Sequence, residues 1–507
     1  MRPALISLDV DPGLIEDETK FKTRQGGYSS INNMRPHRGG LEVIGGWEFL
    51  TTEQLTGKCR GGHVWRDNDG EVNFAFGTHS NLYVFTRGKL YDITPAGFVA
   101  GNSDGFGGGG YGVGTYGSGT YGSSSAGVYY PLTWTLDNFG EWLIANPRGG
   151  KIYVWKNDTA SAAVAVTNAP ETVQTVLCTA SRQIVAYGCE EEVSGDENPR
   201  CVRWCDIEDI EDWTTSTTNN AGEFILRNAG RLVRAKEMGQ IVGVWTDEGM
   251  FWQEFVGNPG ATWDFRRAGS NCGLVGPNAV DTLGTQAFWC GPDFVFYTVG
   301  FGGEPLALPA PIDQTFQNAQ VHAQQEKIYC SSIAQFNEVW WFYPHEDDGT
   351  ECSRYYAFSA REGKWFSGIM DRTCMVDSAP YEYPVAVDDD GYIYIHERGI
   401  TAAGDGISWH AETGDIYFQE SARVVQIRGM RPDLHDQQGA VTFTLKTKQY
   451  PQGDETTHTP QTIVASQDKS DFRVSGAIVR LRWESDLVGA TCRLGQPVFD
   501  VTQRGKR

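Results

Sequence analysis

The sequence contains no segment that reads as a secretory signal peptide or as a membrane-spanning helix. Its first residues, MRPALISLDVDPGLIEDE, lack the apolar core of a signal peptide, and no window approaches eighteen consecutive apolar residues. The eleven cysteines, an odd number spread from Cys59 to Cys492, do not follow the pattern of a disulfide framework. These absences predict a protein that is made and folded in a cytoplasm and is not inserted in a membrane.

Recognisable catalytic motifs are also scarce in the sequence. The sequence has no hydrolase elbow, HExxH pair, Walker loop or CxxC pair. Carboxylates cluster in EDIEDW and HEDDG, but acidic turns on a protein surface are far commoner than a catalytic pair of carboxylates. We therefore predict that the protein is not an enzyme and that it uses no cofactor.

Acidic residues outnumber basic residues, and the formal net charge is -22. Proteins that read DNA or RNA gain most of their affinity by placing Lys and Arg against phosphates, so the composition argues against nucleic-acid recognition. It does not exclude DNA passing nearby. An acidic wall would repel duplex DNA and let it slide without sticking.

Aromatic residues and glycine are abundant, with Trp 16, Tyr 21, Phe 25 and Gly 61. Aromatic residues suit pleated, half-buried strands, and glycine supplies the turns between them. Alternating segments around Asp, Asn and Gly turns recur six or seven times, at intervals of roughly 35 to 60 residues that are typical of propeller blades. Radial packing of such sheets would protect their edges.

The predicted fold is all-β: a β-propeller with an N-terminal arm and a C-terminal antiparallel β-sandwich. Residues 1–55 are predicted to form an extended arm with little core of its own, and residues 56–400 the propeller. Residues 401–507 are assigned to the sandwich, because longer alternating runs replace the blade-type turns there. Large aromatic residues bury the most area, so four tryptophans are predicted to anchor the blade cores: Trp204, Trp213, Trp340 and Trp341.

A glycine-rich run, FGGGGYGVGTYGSGTYGSSSAG, belongs to a loop predicted at residues 105–127, inserted in a blade connection. It matches the GxGxxG pattern twice, but strand-like text follows where a dinucleotide site needs a helix. Long loops in compact domains are usually functional or disordered. We predict an assembly loop that is flexible in the monomer and ordered when Tyr111, Tyr116 and Tyr121 contact a neighbouring subunit or another tail protein.

The run AVDDDGYIYIHE resembles a calcium-binding loop at Asp388, Asp390 and Glu397. Ala386 occupies the first position, where a ligand should stand, and the same text is a good hairpin with Asp and Gly in its turn. The hairpin is the favoured interpretation. No metal site is predicted, and these three carboxylates are kept as the weak alternative.

Several long strings carry a family resemblance: VRWCDIEDIEDWTTSTTNNAGEFIL, VGVWTDEGMFWQEFVGNPGATWDFRRAGSNCGLVGPNAV, FNEVWWFYP with DRT beyond it, and YIYIHERG. They resemble the tail nozzle or hub proteins of short-tailed bacteriophages, which are also described as packaged-DNA stabilisation or tail tubular proteins. The resemblance covers roughly residues 5 to 505. It is most specific at W-x-D-x-E-D-x-x-D-W and N-E-V-W-W-F-Y-P, and weaker in the arm and the sandwich.

The resemblance implies a structural virion protein of the tail, assembled as a homo-hexamer at the distal end of a short non-contractile tail. The ring would lie below the portal and its adaptor ring, with tail fibres or spikes attached nearby. It would close the channel, retain the packaged double-stranded DNA without sequence-specific binding, and allow its ejection. The family has no known catalytic residues, so none is carried over.

Two other functions stay open on the sequence alone. A glycan-binding or glycan-cleaving propeller used in host attachment could stack its aromatic residues on sugars and place two carboxylates at a pocket. A metal-stabilised, lectin-like module would depend on Asp388, Asp390 and Glu397. A hexameric mass would favour the nozzle ring, whereas a monomer with glycan binding or cleavage would favour an attachment protein.

Overall fold

The computed structural model describes residues 4–19, 27–106, 128–258, 261–418 and 424–503. Within these ranges the chain forms 43 strands, one short α-helix and one 3-10 helix, and the strands make ten small antiparallel sheets. The predicted all-β class is therefore confirmed. Neither helix of the described ranges is long and apolar enough to cross a membrane.

The first five strands lie in the predicted arm: β1 (Ala4–Ser7), β2 (Tyr28–Asn32), β3 (Met34–His37), β4 (Gly40–Val43) and β5 (Trp47–Phe49). Only β3 and β4 pair with each other. The arm therefore does not form a sheet by itself, and its strands find their other partners much later in the chain.

Six four-stranded sheets follow, each with its strands in chain order. The first sheet comprises β6 (Cys59–Arg66), β7 (Val72–Thr78), β8 (Leu82–Thr86) and β9 (Lys89–Asp92). The second comprises β10 (Trp134–Phe139), β11 (Trp142–Pro147), β12 (Tyr153–Trp155) and β13 (Val164–Ala165). The third comprises β14 (Val173–Cys178), β15 (Ile184–Cys189), β16 (Cys201–Trp204) and β17 (Gly222–Ile225).

The next three sheets repeat this pattern. The fourth comprises β18 (Leu232–Met238), β19 (Ile241–Thr246), β20 (Gly249–Asn258) and β21 (Ala261–Ser270). The fifth comprises β22 (Val280–Leu283), β23 (Gln286–Cys290), β24 (Phe296–Gly300) and β25 (Leu306–Ala307). After α1 (Asp313–Asn318) and a 3-10 helix (His322–Lys327), the sixth comprises β26 (Tyr329–Ile333), β27 (Glu338–Pro344), β28 (Cys352–Ser359) and β29 (Lys364–Ile369).

The seventh sheet combines the two ends of this region. Its first three strands are β30 (Cys374–Val376), β31 (Val385–Val387) and β32 (Ile393–His396), and its fourth is β5 from the arm. Tyr394 pairs with Phe49, and His396 pairs with Trp47. The N-terminal segment thus completes a sheet that the chain begins more than 300 residues later.

The first strands of the seven sheets contact one another in order. Contacts run from β6 to β10, β14, β18, β22, β26 and β30, and β30 returns to β6. At this last contact a Cβ on Gly62 would lie 2.7 Å from Sγ of Cys374, so only glycine lets β6 and β30 approach so closely. Apolar side chains fill the space between the first and seventh sheets, including Phe76 and Val385.

The remaining strands form three further sheets with the arm. They are β33 (Trp409–Thr413), β34 (Ile416–Tyr417), β35 (Val425–Arg431), β36 (Leu434–Gln438), β37 (Val441–Lys448), β38 (Thr456–Thr457), β39 (Gln461–Ile463), β40 (Ser470–Gly476), β41 (Ile478–Ser485), β42 (Thr491–Leu494) and β43 (Val498–Gln503). Strand β1 pairs with β43, β2 with β33, and β4 with β42. Every arm strand except β3 therefore pairs with a strand from the C-terminal quarter of the chain.

Candidate functional site

The four predicted tryptophan anchors are all buried. Trp204 lies in β16 of the third sheet, and Trp213 lies in the turn that follows β16. The indole nitrogen of each donates a hydrogen bond of 2.8 Å to a backbone carbonyl. Trp340 and Trp341 are neighbours in β27, so their side chains point to opposite faces of the sixth sheet. Trp340 donates to Glu338 at 3.0 Å, whereas the indole nitrogen of Trp341 has no partner among the described residues.

The structure places the three carboxylates of the weak metal alternative in different surroundings. Asp388 lies in the turn between β31 and β32, where its carboxylate accepts hydrogen bonds from the Tyr392 amide and the Tyr394 hydroxyl. Asp390 is exposed, and the carboxylate of Glu397 is bound by a buried arginine. Over the described residues, no group of three or more His, Cys, Asp or Glu side chains is arranged to hold a metal ion.

Tyr111, Tyr116 and Tyr121 lie outside the described residues, but both ends of their loop are described. Phe106 and Tyr129 exchange two backbone hydrogen bonds of 2.8 and 3.1 Å, and their rings stack with centroids 5.4 Å apart. We call this pair the loop stem. It brings the two ends of the inserted segment together.

A charged clamp lies beside the loop stem. The guanidinium carbons of Arg148 and Arg231 lie 4.9 and 5.3 Å from the ring centroid of Tyr130. Both arginines also pair with Glu326, at 2.6 and 3.5 Å, and this carboxylate is 5 % exposed. Glu326 and the two arginines thus hold Tyr130 in place. Tyr130 lies just after the inserted loop, where the chain leads into the second sheet.

Another buried charge cluster ties the arm to the sixth and seventh sheets. Arg35 of β3 donates to Glu397, just after β32, with one contact of 2.9 Å, and its Nε lies 3.3 Å from Glu338 of β27. All three side chains are at most 5 % exposed. Burial raises the pKa of Glu338 to about 7, although Arg35 opposes this shift.

Two exposed apolar patches stand on different parts of the surface. The hairpin patch comprises Phe255 and Val256 at the end of β20, both about half exposed, with Phe224 of the neighbouring sheet stacked on Phe265 at 4.9 Å. Exposed apolar side chains gathered near the end of a hairpin are available for contact with another protein.

The junction patch comprises Ile400, Leu487 and Val488, where the seventh sheet meets the C-terminal sheets. The side chain of Ile400 lies beside Gly489, since a Cβ built there would be 3.6 Å from its Cδ1. The two patches share no residue. A molecule with two different apolar patches can join copies of itself head to tail.

A central cavity of about 290 Å³ lies among the first strands of six of the seven sheets. Its lining includes Arg234 and Lys236 of β18, Asp281 of β22 and His63 of β6. A second cavity of about 210 Å³ adjoins it and shares His63, Arg234 and Lys236. Burial lowers the pKa of His63, so this imidazole is neutral near pH 7.

The residues that line the central cavity carry little signal in the sequence. The spacing of Arg234 and Lys236, two residues apart in LVRAKEM, is a signal that both project from one face of a strand. It does not indicate which strands face them. The charge cluster around Arg35 left no comparable signal, since its three members lie far apart in the sequence.

No family model matches the chain, and no curated protein matches it.

Proposed function

We propose that the chain is a structural virion protein that forms the distal nozzle ring of a short, non-contractile phage tail. The ring closes the DNA channel, retains the packaged genome and allows its ejection. The observation that carries the proposal is the presence of two different exposed apolar patches, the hairpin patch and the junction patch. A cyclic ring needs such a pair, because each interface joins one patch to a different patch on the next subunit.

The finer architecture within this proposal is a seven-bladed β-propeller joined to a β-sandwich. Seven four-stranded sheets whose first strands contact one another in sequence and return to the start support it. The fourth strand of the seventh sheet comes from the N-terminal arm. Pairing of this early segment with late strands would hold the ring of sheets closed. The arm and the C-terminal strands together supply the sandwich.

The proposed partners are five further copies of the chain, the portal-adaptor ring above, and tail fibres or spikes at the side. Packaged double-stranded DNA passes through the channel without sequence-specific binding. The net charge of -22 supports this role, because an acidic wall does not hold a polyanion. The loop stem and its charged clamp would present the inserted loop to one of these partners.

The assembly proposal is tested by the mass of the purified protein and of a Val256→Asp variant. We expect wild-type protein to form a species six times the 56.0 kDa chain mass, and the variant to fall back to monomer. The variant places a charge in an interface that would bury it, which costs several kcal/mol when the charge is unpaired. Mass photometry and circular dichroism would report assembly and folding separately.

Val164→Asp is the matched control, because Val164 is 56 % exposed in β13 of the second sheet, which contributes no residue to either patch. It should assemble like wild type. A wild-type protein that stays monomeric when purified and is absent from the tails of virions would overturn the proposal. Tight, salt-sensitive retention of duplex DNA by the ring would contradict the passive channel wall.

A further inference from the structure

One cation in the central cavity has no counter-charge in direct contact. The Nη1 of Arg234 donates 2.8 Å to the Thr135 hydroxyl, and its Nε has no hydrogen-bond partner in the described part of the chain. No described carboxylate lies within ion-pair distance of this guanidinium. Its neighbour Lys236, in contrast, pairs with Asp281 at 3.0 Å.

The carboxylates nearest to Arg234 already have other donors. Asp137 accepts the backbone amides of Cys178 and Asn138, at 2.7 and 2.8 Å. Asp281 accepts the amide and hydroxyl of Ser332, at 2.8 and 2.9 Å, besides Lys236. The guanidinium is therefore the charged group whose hydrogen-bonding capacity is least filled at this cavity.

Burial of the Arg234 guanidinium without a counter-charge also costs free energy. Burial lowers the pKa of Arg234 to about 10, and the more distant charges of Asp137 and Asp281 do not restore it. Arginine does not release its proton in proteins, so the uncompensated burial is a cost to the folded state. A guanidinium offers several N–H donors in a plane, which matches the oxygens of a carboxylate or phosphate.

We propose that the central cavity binds a small oxyanion, a carboxylate or phosphate group, held by Arg234 and assisted by Lys236. The cavity of about 290 Å³ lies at the lower end of the range for small-molecule sites, which suits a ligand with few atoms. Cations lie at the junction with the second cavity, so the ligand sits where the two cavities meet. This site does not depend on the proposed ring and would exist in a single copy of the chain.

The test compares anion binding by wild-type protein and two glutamine variants in chloride buffer at constant ionic strength. Inorganic phosphate and acetate are titrated separately, and binding is followed by calorimetry and by the rise in melting temperature. We expect wild type to bind at least one of the two anions, and Arg234→Gln to weaken that binding at least about tenfold. Comparison of the phosphate and acetate titrations identifies the preferred class.

Arg266→Gln is the control, since Arg266 lies in the same sheet with a side chain 53 % exposed. It should bind like wild type. Absence of binding of both anions by wild type, or equal binding by Arg234→Gln, would overturn the proposal. If Arg234→Gln does not fold, wild-type crystals soaked in selenate decide the question: an anomalous peak within hydrogen-bonding distance of Arg234 supports the site, and its absence refutes it.

Discussion

At the residue scale, the charge cluster of Arg35, Glu338 and Glu397 gives one buried carboxylate an unusual titration. Two carboxylates share one guanidinium, so the cluster carries a net negative charge when both are ionised. Burial favours the neutral form of Glu338, which is 1 % exposed. The residue should therefore couple proton binding to the stability of the contact between the arm and the sheets.

We expect the stability of the wild-type protein to fall between about pH 4.5 and pH 7 relative to Glu338→Gln. The pKa of Glu338 is about 7 in the folded protein and near 4.5 in an unfolded chain, so its stabilising effect is complete below the lower value and lost as pH rises through the higher one. The difference is on the order of 3 kcal/mol. Denaturant unfolding of both proteins across this pH range measures it.

Glu48→Gln serves as the control for this pH effect, because the side chain of Glu48 is 51 % exposed. Its stability should follow the wild-type pH profile. Parallel profiles for wild type and Glu338→Gln would show that Glu338 does not bind its proton more tightly in the folded protein.

A second residue-scale comparison uses the adjacent tryptophans of β27. Both are at most 1 % exposed, but only Trp340 donates a hydrogen bond, to the Glu338 carboxylate. We expect Trp340→Phe to lower the free energy of unfolding by about 2 kcal/mol more than Trp341→Phe, since the loss of ring volume is equal and only the first loses a bond to a charged group. Denaturant titration above pH 7.5 measures the difference, and equal losses would contradict it.

At the scale of elements, the contact between β6 and β30 closes the succession of seven sheets. The approach depends on Gly62, since an added Cβ would lie 2.7 Å from Sγ of Cys374 and 2.9 Å from a methyl carbon of Val376. Both neighbours are buried between the first and seventh sheets. A single methyl group at this point must therefore push two sheets apart or displace their core.

We expect Gly62→Ala to lower the free energy of unfolding by about 1 to 3 kcal/mol, as overpacking in a filled core does. Gly300→Ala is the matched control: Gly300 also lies in a strand, and an added Cβ there meets no atom within 4 Å. That variant should be neutral or slightly more stable than wild type. Thermal unfolding of the two variants decides the point, and equal effects would mean that the contact tolerates the methyl group.

Local elements could be predicted from the sequence, whereas distant pairings could not. Most hairpins of the first six sheets join strands that lie a few residues apart, and alternation with Asp, Asn and Gly turns signals them. Strand β5 has three residues and pairs with β32, more than 300 positions away. A short strand carries no periodic pattern that identifies its partner, so the sequence predicts only an extended arm with little core of its own.

The same limit applies to the candidate sites. The burial of Trp204, Trp213, Trp340 and Trp341 could be anticipated, because large aromatic residues in alternating segments face a core. The central cavity could not, since its lining comes from six strands that meet only when the sheets are arranged around it. The spacing of Arg234 and Lys236 in the sequence does not show that Arg234 lacks a carboxylate partner in the fold.

At the scale of the whole molecule, the N-terminal arm belongs structurally to the C-terminal sheets. Strands β1, β2 and β4 pair with β43, β33 and β42, and apolar residues of both segments share one hydrophobic cluster. A fragment of residues 401–507 lacks these strands. Their absence leaves sheet edges and apolar side chains exposed.

We expect residues 401–507 to be unfolded or aggregated when expressed alone, and to gain ordered structure when a peptide spanning residues 4–49 is added. Nuclear magnetic resonance spectra of the fragment with and without the peptide measure this. A peptide of the same composition in scrambled order is the control. A fragment with well-dispersed signals and cooperative unfolding in the absence of the peptide would show that the arm is dispensable for this part of the fold.

The pairing of β5 with β32 also sets the order of events on the ribosome. Strand β5 leaves the exit tunnel early, but its partner is translated more than 300 residues later, some tens of seconds at about 5 to 20 residues per second. Through that interval the first four-stranded sheets can form one by one, while the arm waits without its partners. Strand β5 therefore stays without its partner until β32 has emerged, and through that interval it is exposed to wrong pairing and to chaperones.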